Sequence, residues 1–372
     1  MKQRRWLIAA LLLIAAATAL MLYAEEPQPE KEEVAVTFPR QFDDKHTQRM
    51  RERRTLAVSP PEVEGEEQPA RPARPRDPVL AALASGARSA VVVEANALRN
   101  SPIGELLLEC LMSRGRKNPI TELKERAGVD ILQDLDRVAM TEHGVVMSGH
   151  FENARWQEAL GDKVTSSRYG EQGTVYQLPV SGDGGSPAGY LVSWGSQMMM
   201  FAQDEDQARA AVDRLEGRAE STPILNEDQT YGEIYGVLDA EDLAKLFPQE
   251  QAELATRFRD AAQQVELHVD ASRDVGIVAN VKGEDASQVE DLGKSLGGLL
   301  ATARIKSQLE NETELTEFLD LARVRPRGDG TFGLEVGLPL ELLQQRLAFC
   351  KEENQRRAQE AAVAPVEAAV KE

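Results

Sequence analysis

This chain of 372 residues has few of the side chains that build metal and redox sites, since it contains only four histidines and two cysteines. Zinc and copper sites are built mainly from clusters of these residue types, so their scarcity argues against a metalloenzyme. No Walker loop, dinucleotide-binding glycine fingerprint or Gly-x-Ser-x-Gly elbow follows a predicted strand. We therefore expect no cofactor and no metal, and we assign no catalytic, cofactor-binding or metal-binding residue.

The chain also lacks an excess of positive charge. Its formal charge is −19, and residues 79–350 carry −18 of that total. An acidic surface repels phosphate backbones, so we expect no nucleic-acid partner. Charge of this sign and size mainly indicates a soluble folded region.

A hydrophobic run is present at the start of the chain. Residues 6–24 are uncharged and follow a basic cluster, and these 19 residues would span about 28 Å as a helix. We predict a transmembrane anchor or a signal peptide at residues 1–24. The basic cluster predicts a cytoplasmic N-terminus in the inner membrane and an exported, periplasmic C-terminal region. In the alternative, cleavage near Ala17-Thr18-Ala19 leaves a secreted or periplasmic protein.

Residues 25–78 lack apolar periodicity. Nine of the 18 prolines lie there, together with the basic clusters QRMRERR and RPARPR. Such a segment buries too little apolar surface to offset the entropy cost of ordering, so we predict a disordered linker. Its arginines are suited to contact with anionic lipid or a cell-wall polymer, although a solvated tether is the simpler interpretation.

From residue 79 the pattern predicts α+β structure in two similar units built from antiparallel hairpins and helices. We place the units at 79–218 and 230–350, with a polar connection between them. The tail at 351–372 is expected to be either a helix, which includes a coiled coil, or a frayed extension. Each unit reads strand, helix pair, hairpin, helix, hairpin, helix, and the first carries one extra hairpin. Duplication is inferred from this order of elements alone.

Three segments resemble one group of proteins. The runs AGVDILQDLDRV, YGEQGTVYQL and DQARAAVDRL are similar to segments of uncharacterised bacterial single-pass envelope proteins with a duplicated α+β exported region. The resemblance covers residues 80–350. It implies the cellular location and the architecture, and the group has no assigned activity to carry over.

The stretch MTEHGVVMSGHFE contains two of the four histidines. We predict a β-hairpin whose turn is His143-Gly144, with Met140 opposite Met147 and Arg137 opposite His150. Seven strand residues then separate His143 from His150 by about 20 Å. Zinc ligands lie about 2 Å from the ion, so these two histidines are not a metal pair.

The remaining histidines also have simple interpretations. His268 alternates with apolar residues in QVELHVDA, which puts it on a polar strand face with Glu266 and Asp270. We interpret this as a solvated face rather than an acid–base cluster. His46 lies in the predicted linker.

Two further patterns resemble functional sites. SGDGGSPAG, residues 181–189, is close to the nucleophile loop of trypsin-like proteases, but both glycines precede the serine, so we expect an inter-strand loop. MMMF, residues 198–201, suggests copper ligation by thioethers. Successive strand residues face opposite sides of a sheet, however, so we expect these methionines to fill the core.

The two cysteines leave two interpretations open. Cys110 lies in the apolar stripe of a predicted helix, and Cys350 is in phase with Leu343 and Leu347 of the last helix. Each cysteine is either a small buried residue or half of a disulfide that joins the first unit to the last helix.

The function that the sequence favours is that of a membrane-tethered exported protein. We expect a non-catalytic binding, scaffolding or sensing module of the cell envelope, with a protein or an envelope polymer as its partner. The alternative is a carboxylate-dependent hydrolase in the same compartment. Carboxylates or histidines that converge in a concave pocket would favour the enzyme, whereas flat faces and dispersed charge would favour the binding module.

A disulfide between Cys110 and Cys350 is directly testable. If the two cysteines are bridged, the exported protein resists thiol alkylation at both positions until a reductant is added, because the exported compartment is oxidising. Peptide mass spectrometry with and without reductant measures this. Two alkylated thiols without reductant would contradict the disulfide.

Overall fold

The computed structural model describes residues 48–49, 52, 77–83, 86–113, 124–161, 164–179, 188–247, 251–327, 330–345, 347–348 and 356. The predicted anchor at 1–24 and most of the predicted linker lie outside these residues, as do Cys350 and most of the tail. Within the described residues, no helix combines the length and the apolar character needed to cross a membrane.

Twelve strands form one sheet within the described residues. They are β1 (Ala90–Val93), β2 (Leu135–Thr141), β3 (Gly144–Gly149), β4 (Thr165–Tyr169), β5 (Gly173–Gln177), β6 (Tyr190–Trp194), β7 (Met198–Ala202), β8 (Ile234–Asp239), β9 (Gln264–Asp270), β10 (Val275–Lys282), β11 (Ala322–Pro326) and β12 (Phe332–Leu338). Every strand pair is antiparallel.

Helices connect these strands and cover parts of both faces. They are α1 (Pro78–Ala82), α2 (Ala95–Arg99), α3 (Pro102–Ser113), α4 (Ile131–Asp134), α5 (Trp156–Leu160), α6 (Glu205–Leu215), α7 (Ala240–Ala244), α8 (Ala252–Ala261), α9 (Ala286–Leu309) and α10 (Thr313–Asp320). Residues 340–345 are also helical. The prediction of mixed α+β structure with antiparallel hairpins is therefore confirmed.

The strand order is β11-β12-β10-β9-β8-β1-β2-β3-β7-β6-β5-β4. β1 and β8 pair at the middle of the sheet and join its two halves. Outward from β1 the order is β1-β2-β3-β7-β6, and outward from β8 it is β8-β9-β10-β12-β11, which is the same sequence of steps. The first half adds the hairpin β4–β5 beyond β6, so the two halves share one continuous sheet and end in different edges.

Two helix starts follow the predicted capping chemistry. The Ser101 hydroxyl accepts a hydrogen bond from the Gly104 N–H at 3.0 Å at the start of α3. The Asp204 carboxylate accepts one from the Gln207 N–H at 2.8 Å at the start of α6. Both side chains satisfy an N–H group that the helix leaves without an intrahelical partner, which explains why these helices begin where the sequence predicted.

We call the side of the sheet that packs against α1 and α6 the α6 face. Over the first half of the sheet this face is apolar, and its core includes Val92, Val146, Val192 and Met200. Arg214 of α6 ties the two covering helices together, because its guanidinium donates hydrogen bonds to the carbonyls at the end of α1, at 2.9 and 3.0 Å.

We call the opposite side the α9 face. Over the second half of the sheet, α8, α9 and α10 cover it, with core residues such as Val269, Phe332 and Leu292. Over the first half it carries a smaller core around Met199 and Phe151. On β9, therefore, the apolar side chains lie on the α9 face and the polar side chains lie on the α6 face.

Met199 provides a test of the small core on the α9 face. It is only 1% exposed, so we expect Met199→Ala to lower the free energy of unfolding by about 2–4 kcal/mol through lost burial and a residual cavity. Chemical denaturation followed by circular dichroism measures the loss. Leu309→Ala is the control, because Leu309 is 65% exposed and should show almost no loss. Equal losses in both variants would contradict this packing.

Candidate functional site

A strip of polar side chains lies on the α6 face beyond α6, along β9 and its neighbours. Glu266, His268 and Asp270 alternate along β9, and all three are buried, His268 completely. The expectation of a solvated strand face is therefore wrong at these residues. The Tyr231 ring stacks on the His268 imidazole with 3.7 Å between centroids, so the connection between the two halves covers a face that looks open in the sequence.

His268 hydrogen-bonds through both ring nitrogens. Nε2 lies 2.8 Å from Glu266 Oε1, and Nδ1 lies 3.2 Å from the Tyr231 carbonyl oxygen. An ionised carboxylate and a carbonyl are both acceptors, so both bonds form only when both nitrogens carry a proton. His268 thereby links the Glu266 carboxylate to the backbone of the segment that precedes β8.

Glu266 also accepts a hydrogen bond from Lys282. Lys282 Nζ on β10 donates to Glu266 Oε2 at 2.7 Å. Burial alone would raise the pKa of Glu266, but the hydrogen bonds from His268 and Lys282 outweigh it and lower that pKa to about 2. Both oxygens of this carboxylate are thus engaged within the protein.

The strip continues to the end of β9. Asp270 accepts hydrogen bonds from the Ser272 N–H and hydroxyl, at 3.0 and 2.7 Å. Arg49, which lies in the range predicted as linker, approaches the same region: its Nε is 3.7 Å from Asp270 Oδ2, and a terminal nitrogen is 3.7 Å from Asp274 Oδ2. At Arg49 the N-terminal part of the chain therefore contacts the folded region.

Toward β11 the strip holds two further buried polar groups. Glu335 on β12 forms an ion pair with Arg325 at 3.1 Å. Asn280 on β10 is buried, and its Oδ1 has no hydrogen-bond partner within the described residues.

A second polar network adjoins the strip at the centre of the sheet. The Tyr235 hydroxyl donates to Glu94 Oε1 at 2.7 Å, and Arg137 bonds the same carboxylate at 2.7 Å and Asp77 at 2.6 Å. Burial, together with the carboxylate of Glu94, raises the pKa of Tyr235. Because Tyr235 is the cross-strand neighbour of His268, the two networks lie side by side on β8 and β9.

Glu266, His268, Asp270 and Tyr235 in this convergence are all buried. A cavity of the described part of the molecule lies elsewhere, between α1, α6 and the β2–β3 hairpin, and is lined by residues such as Leu83, His143, Ala211 and Arg214. No group of three metal-ligating side chains occurs among the described residues. The groups of the strip hold each other in place and join the strands by charge and hydrogen bonds.

The hairpin histidines are separated, but the predicted turn is wrong by one residue. Thr141 pairs with Gly144, so the turn is Glu142-His143, and Met140 faces Val145 rather than Met147. The Thr141 hydroxyl accepts the His143 N–H at 3.2 Å, which favours the earlier turn. The displaced turn also pairs Arg137 with Ser148 instead of His150, and a register shift lies beyond that pair, between Arg137 and Leu135.

His150 leaves the strand beyond this shift. Its Nε2 lies 3.7 Å from Asp136 Oδ2, whereas His143 Nε2 lies 3.7 Å from Glu142 at the other end of the hairpin. The hairpin therefore holds the two histidines against different carboxylates, in agreement with the prediction that they do not form one site.

The structure decides the role of the three methionines, whereas most of the 181–189 loop and Cys350 lie outside the described residues. Met198, Met199 and Met200 are all buried, with Met199 in a different core from its neighbours, so core filling is confirmed. Most of the 181–189 loop lies outside the described residues. So does Cys350, and although the described part contains no free thiol, the Cys110–Cys350 disulfide stays a prediction.

One sequence match to a nucleophile elbow lies within a helix. Residues 293–297 read Gly-Lys-Ser-Leu-Gly, but they occupy the middle of α9, where the Ser295 hydroxyl donates to the Asp291 carbonyl at 2.8 Å. A nucleophile elbow requires a sharp turn from strand to helix, and a helix interior does not provide one.

The clearest surface feature is the outer edge at β4. Thr165, Ser166, Ser167 and Arg168 are exposed, and within the described residues β4 pairs only with β5. β4 has no proline, no lysine and no bulge, which are common devices that protect an edge strand. Within the part of the chain that the structure describes, no strand pairs with its outward N–H and C=O groups.

The hairpin that carries this edge is held rigidly by α6. At its turn, the Glu216 carboxylate accepts hydrogen bonds from the Glu171 and Gln172 N–H groups, at 2.8 and 3.1 Å. Burial would raise the pKa of Glu216, but these backbone bonds and Arg218 lower it. The Tyr169 hydroxyl donates to Asp213 at 3.1 Å.

The opposite edge, β11, is protected. Arg323 and Arg325 alternate along it, and the strand ends at Pro326. Arg304 of α9 donates a hydrogen bond to the Ala322 carbonyl at its start. Of the two edges, β4 is thus the one that offers a strand-length row of backbone groups next to small polar side chains.

Sequence reasoning missed Arg49, Lys282 and Glu216 as structural anchors. Lys282 carried a usable signal, because it ends a strand that the hairpin pattern places beside β9. Arg49 and Glu216 act over 221 and 45 residues of chain, and no local pattern indicates such contacts.

Comparison with known proteins adds the following. No family model and no curated protein matches the chain. Among solved structures, crystal form III of TP0453 is similar with a TM-score of 0.43 and 13% identity, over 72% of this chain and 96% of that one. Crystal form I of TP0453 is similar with a TM-score of 0.43 and 14% identity, over 74% and 98%. Likeness at this level carries no functional argument, so the resemblance to envelope proteins stays a prediction.

The Glu266 network predicts a pH dependence. The pKa of Glu266 falls from its ordinary 4.5 to about 2 on folding, so its stabilisation is complete above about pH 4.5 and is lost as the pH falls toward 2. We expect Glu266→Gln to lower the free energy of unfolding at pH 7 by about 3 kcal/mol. Denaturation at pH 7 and pH 3 measures both effects.

The matched control is Glu290→Gln. Glu290 is an exposed partner of Lys294 on α9, and its loss should not be measurable. A Glu266→Gln loss that is as large at pH 3 as at pH 7 would contradict the assignment of the charge.

Proposed function

We propose that this protein is a membrane-tethered exported protein whose folded region is a non-catalytic binding or scaffolding module of the cell envelope. The hydrophobic run at residues 6–24 supplies the anchor, and the N-terminus is cytoplasmic. The partner engages the folded region at the β4 edge. We further propose that the two halves arose by duplication, which the matching strand orders of the two halves support.

The observation that carries the binding role is the open, rigid edge at β4. Edge strands bind extended segments through main-chain hydrogen bonds, and a rigid edge loses little entropy on binding. The clamp of Glu216 on the β4–β5 turn provides that rigidity. The hydrogen bonds that Glu266 accepts from His268 and Lys282 in the polar strip support the same role, since they stabilise the sheet that presents the edge.

The contact at Arg49 supports the tether. Arg49 reaches Ser272 and Asp274 at the β9–β10 turn, so the segment that leads from the membrane is fixed to the folded region on the α6 face. This contact would orient the sheet relative to the membrane, with the α6 face toward the incoming tether.

Membrane topology is tested with the full chain in cells. We expect a C-terminal reporter that is active only outside the cytoplasm to be active, and the protein to stay in the membrane fraction after a carbonate wash. Replacing the three N-terminal basic residues by glutamate should reduce export. A reporter active only in the cytoplasm would contradict the proposal.

The binding role is tested with a photo-crosslinking residue. We expect a crosslinker at Ser166 on β4 to capture protein in cells, and one at Glu290 on the exposed surface of α9 to capture far less. Both positions are exposed, so accessibility alone does not separate them. Equal capture at the two positions would contradict a binding role for the edge.

A further inference from the structure

We propose that the occupant of the β4 edge is the β4 strand of a second copy of this chain, paired antiparallel about a two-fold axis at Ser167. The inference rests on the proposed binding role of this edge and names its partner. Two 12-stranded sheets then join into one continuous sheet.

Side chains along β4 fit this register. With Ser167 opposite its own copy, Thr165 lies opposite Tyr169, and Ser166 lies opposite Arg168. Pairing a β-branched with an aromatic residue is favourable across strands, and each arginine meets a serine rather than the other arginine. The five residues of β4 pair with β5 without a bulge, so the edge is straight enough for such pairing.

Charge on this hairpin also fits a second copy. Residues 165–177 carry one arginine and one glutamate and are neutral, whereas residues 79–350 carry −18. Two such molecules repel each other over most of their surface, and a neutral edge is the place where that repulsion is least. The same repulsion predicts that dimerisation increases with ionic strength.

The symmetry agrees with tethering to one membrane. Directly opposed residues of an antiparallel pair lie on the same face, so the axis at Ser167 is perpendicular to the sheet. The α6 faces of both copies then point the same way. Arg49 contacts Asp270 on this face, so both tethers approach from the same side and can lead to the same bilayer.

The contact between two β4 edges is too small to hold a dimer together unless both copies are tethered to the same membrane. Five strand residues give an edge of about 17 Å, and stable interfaces bury about 1,200 Å² or more, which exceeds what such an edge provides. A weak pairing of this kind forms when both copies share a membrane, because tethering raises the effective concentration.

Disulfide trapping tests the register in the full chain. We expect Ser167→Cys to form a covalent homodimer in membranes under mild oxidation, because directly opposed Cβ atoms lie within disulfide range. Ser166→Cys is the matched control, since that residue faces Arg168 and not itself. Several-fold more dimer for Ser167→Cys than for Ser166→Cys supports the proposal, and equal dimer in both overturns it.

A second experiment tests the dimer without an engineered disulfide. Ser167→Lys places a charge at the axis and should abolish energy transfer between two fluorescently labelled copies in intact membranes, whereas Ser167→Thr should keep it. Circular dichroism establishes that both variants fold. A dimer that survives Ser167→Lys in a folded protein overturns the proposal.

The outcomes also separate this proposal from the binding role. A Ser167→Cys product joined to a different protein overturns the homodimer and leaves the binding role of the edge intact. A monomer in every variant, together with equal photo-capture at Ser166 and Glu290, overturns both.

Discussion

The rest of the structure depends on the backbone ladder between β1 and β8. This antiparallel pair joins four residues of each strand, from Ala90 opposite Val237 to Val93 opposite Ile234, and so fuses two halves into one sheet. Without it each half would expose an unpaired central strand. Tyr235 adds a side-chain link, because its hydroxyl bonds Glu94 at the end of β1. The two edges of the sheet, and therefore its binding surface, follow from this junction.

One consequence is the burial of charge on the α6 face of the second half. Within the described residues, α6 covers this face over the first half, and over the second half the Tyr231 ring covers His268. Glu266, His268 and Lys282 satisfy one another, which offsets the cost of removing charges from water. A cluster that would suggest acid–base catalysis in an open cleft therefore acts as a structural tie between β9 and β10. The proposed function accordingly gives this cluster a structural role.

A second consequence is that the two edges differ. The extra hairpin β4–β5 extends the first half, and α6 clamps it through Glu216, whereas the second half ends at β11 under Arg304, Arg323 and Pro326. The extra hairpin thus makes β4, whose one charged residue is Arg168, the outer strand of the first half. In the proposed dimer, a two-fold pairing through this edge closes the assembly without forming a filament.

The sequence by itself determined the antiparallel hairpins, the capped starts of α3 and α6, and the burial of Met198, Met199 and Met200, because these depend on local periodicity and on contacts a few residues apart. It came within one residue of the β2–β3 turn, where the hydroxyl of Thr141 decided the register. Only the tertiary structure decided that His268 is buried, since the ring that covers it, Tyr231, lies 37 residues away. The same holds for Arg49 on the acidic end of β9 and for the open edge at β4. Strand order and the cover on each face arise from contacts between distant residues, and the alternation of side chains along one strand does not encode them.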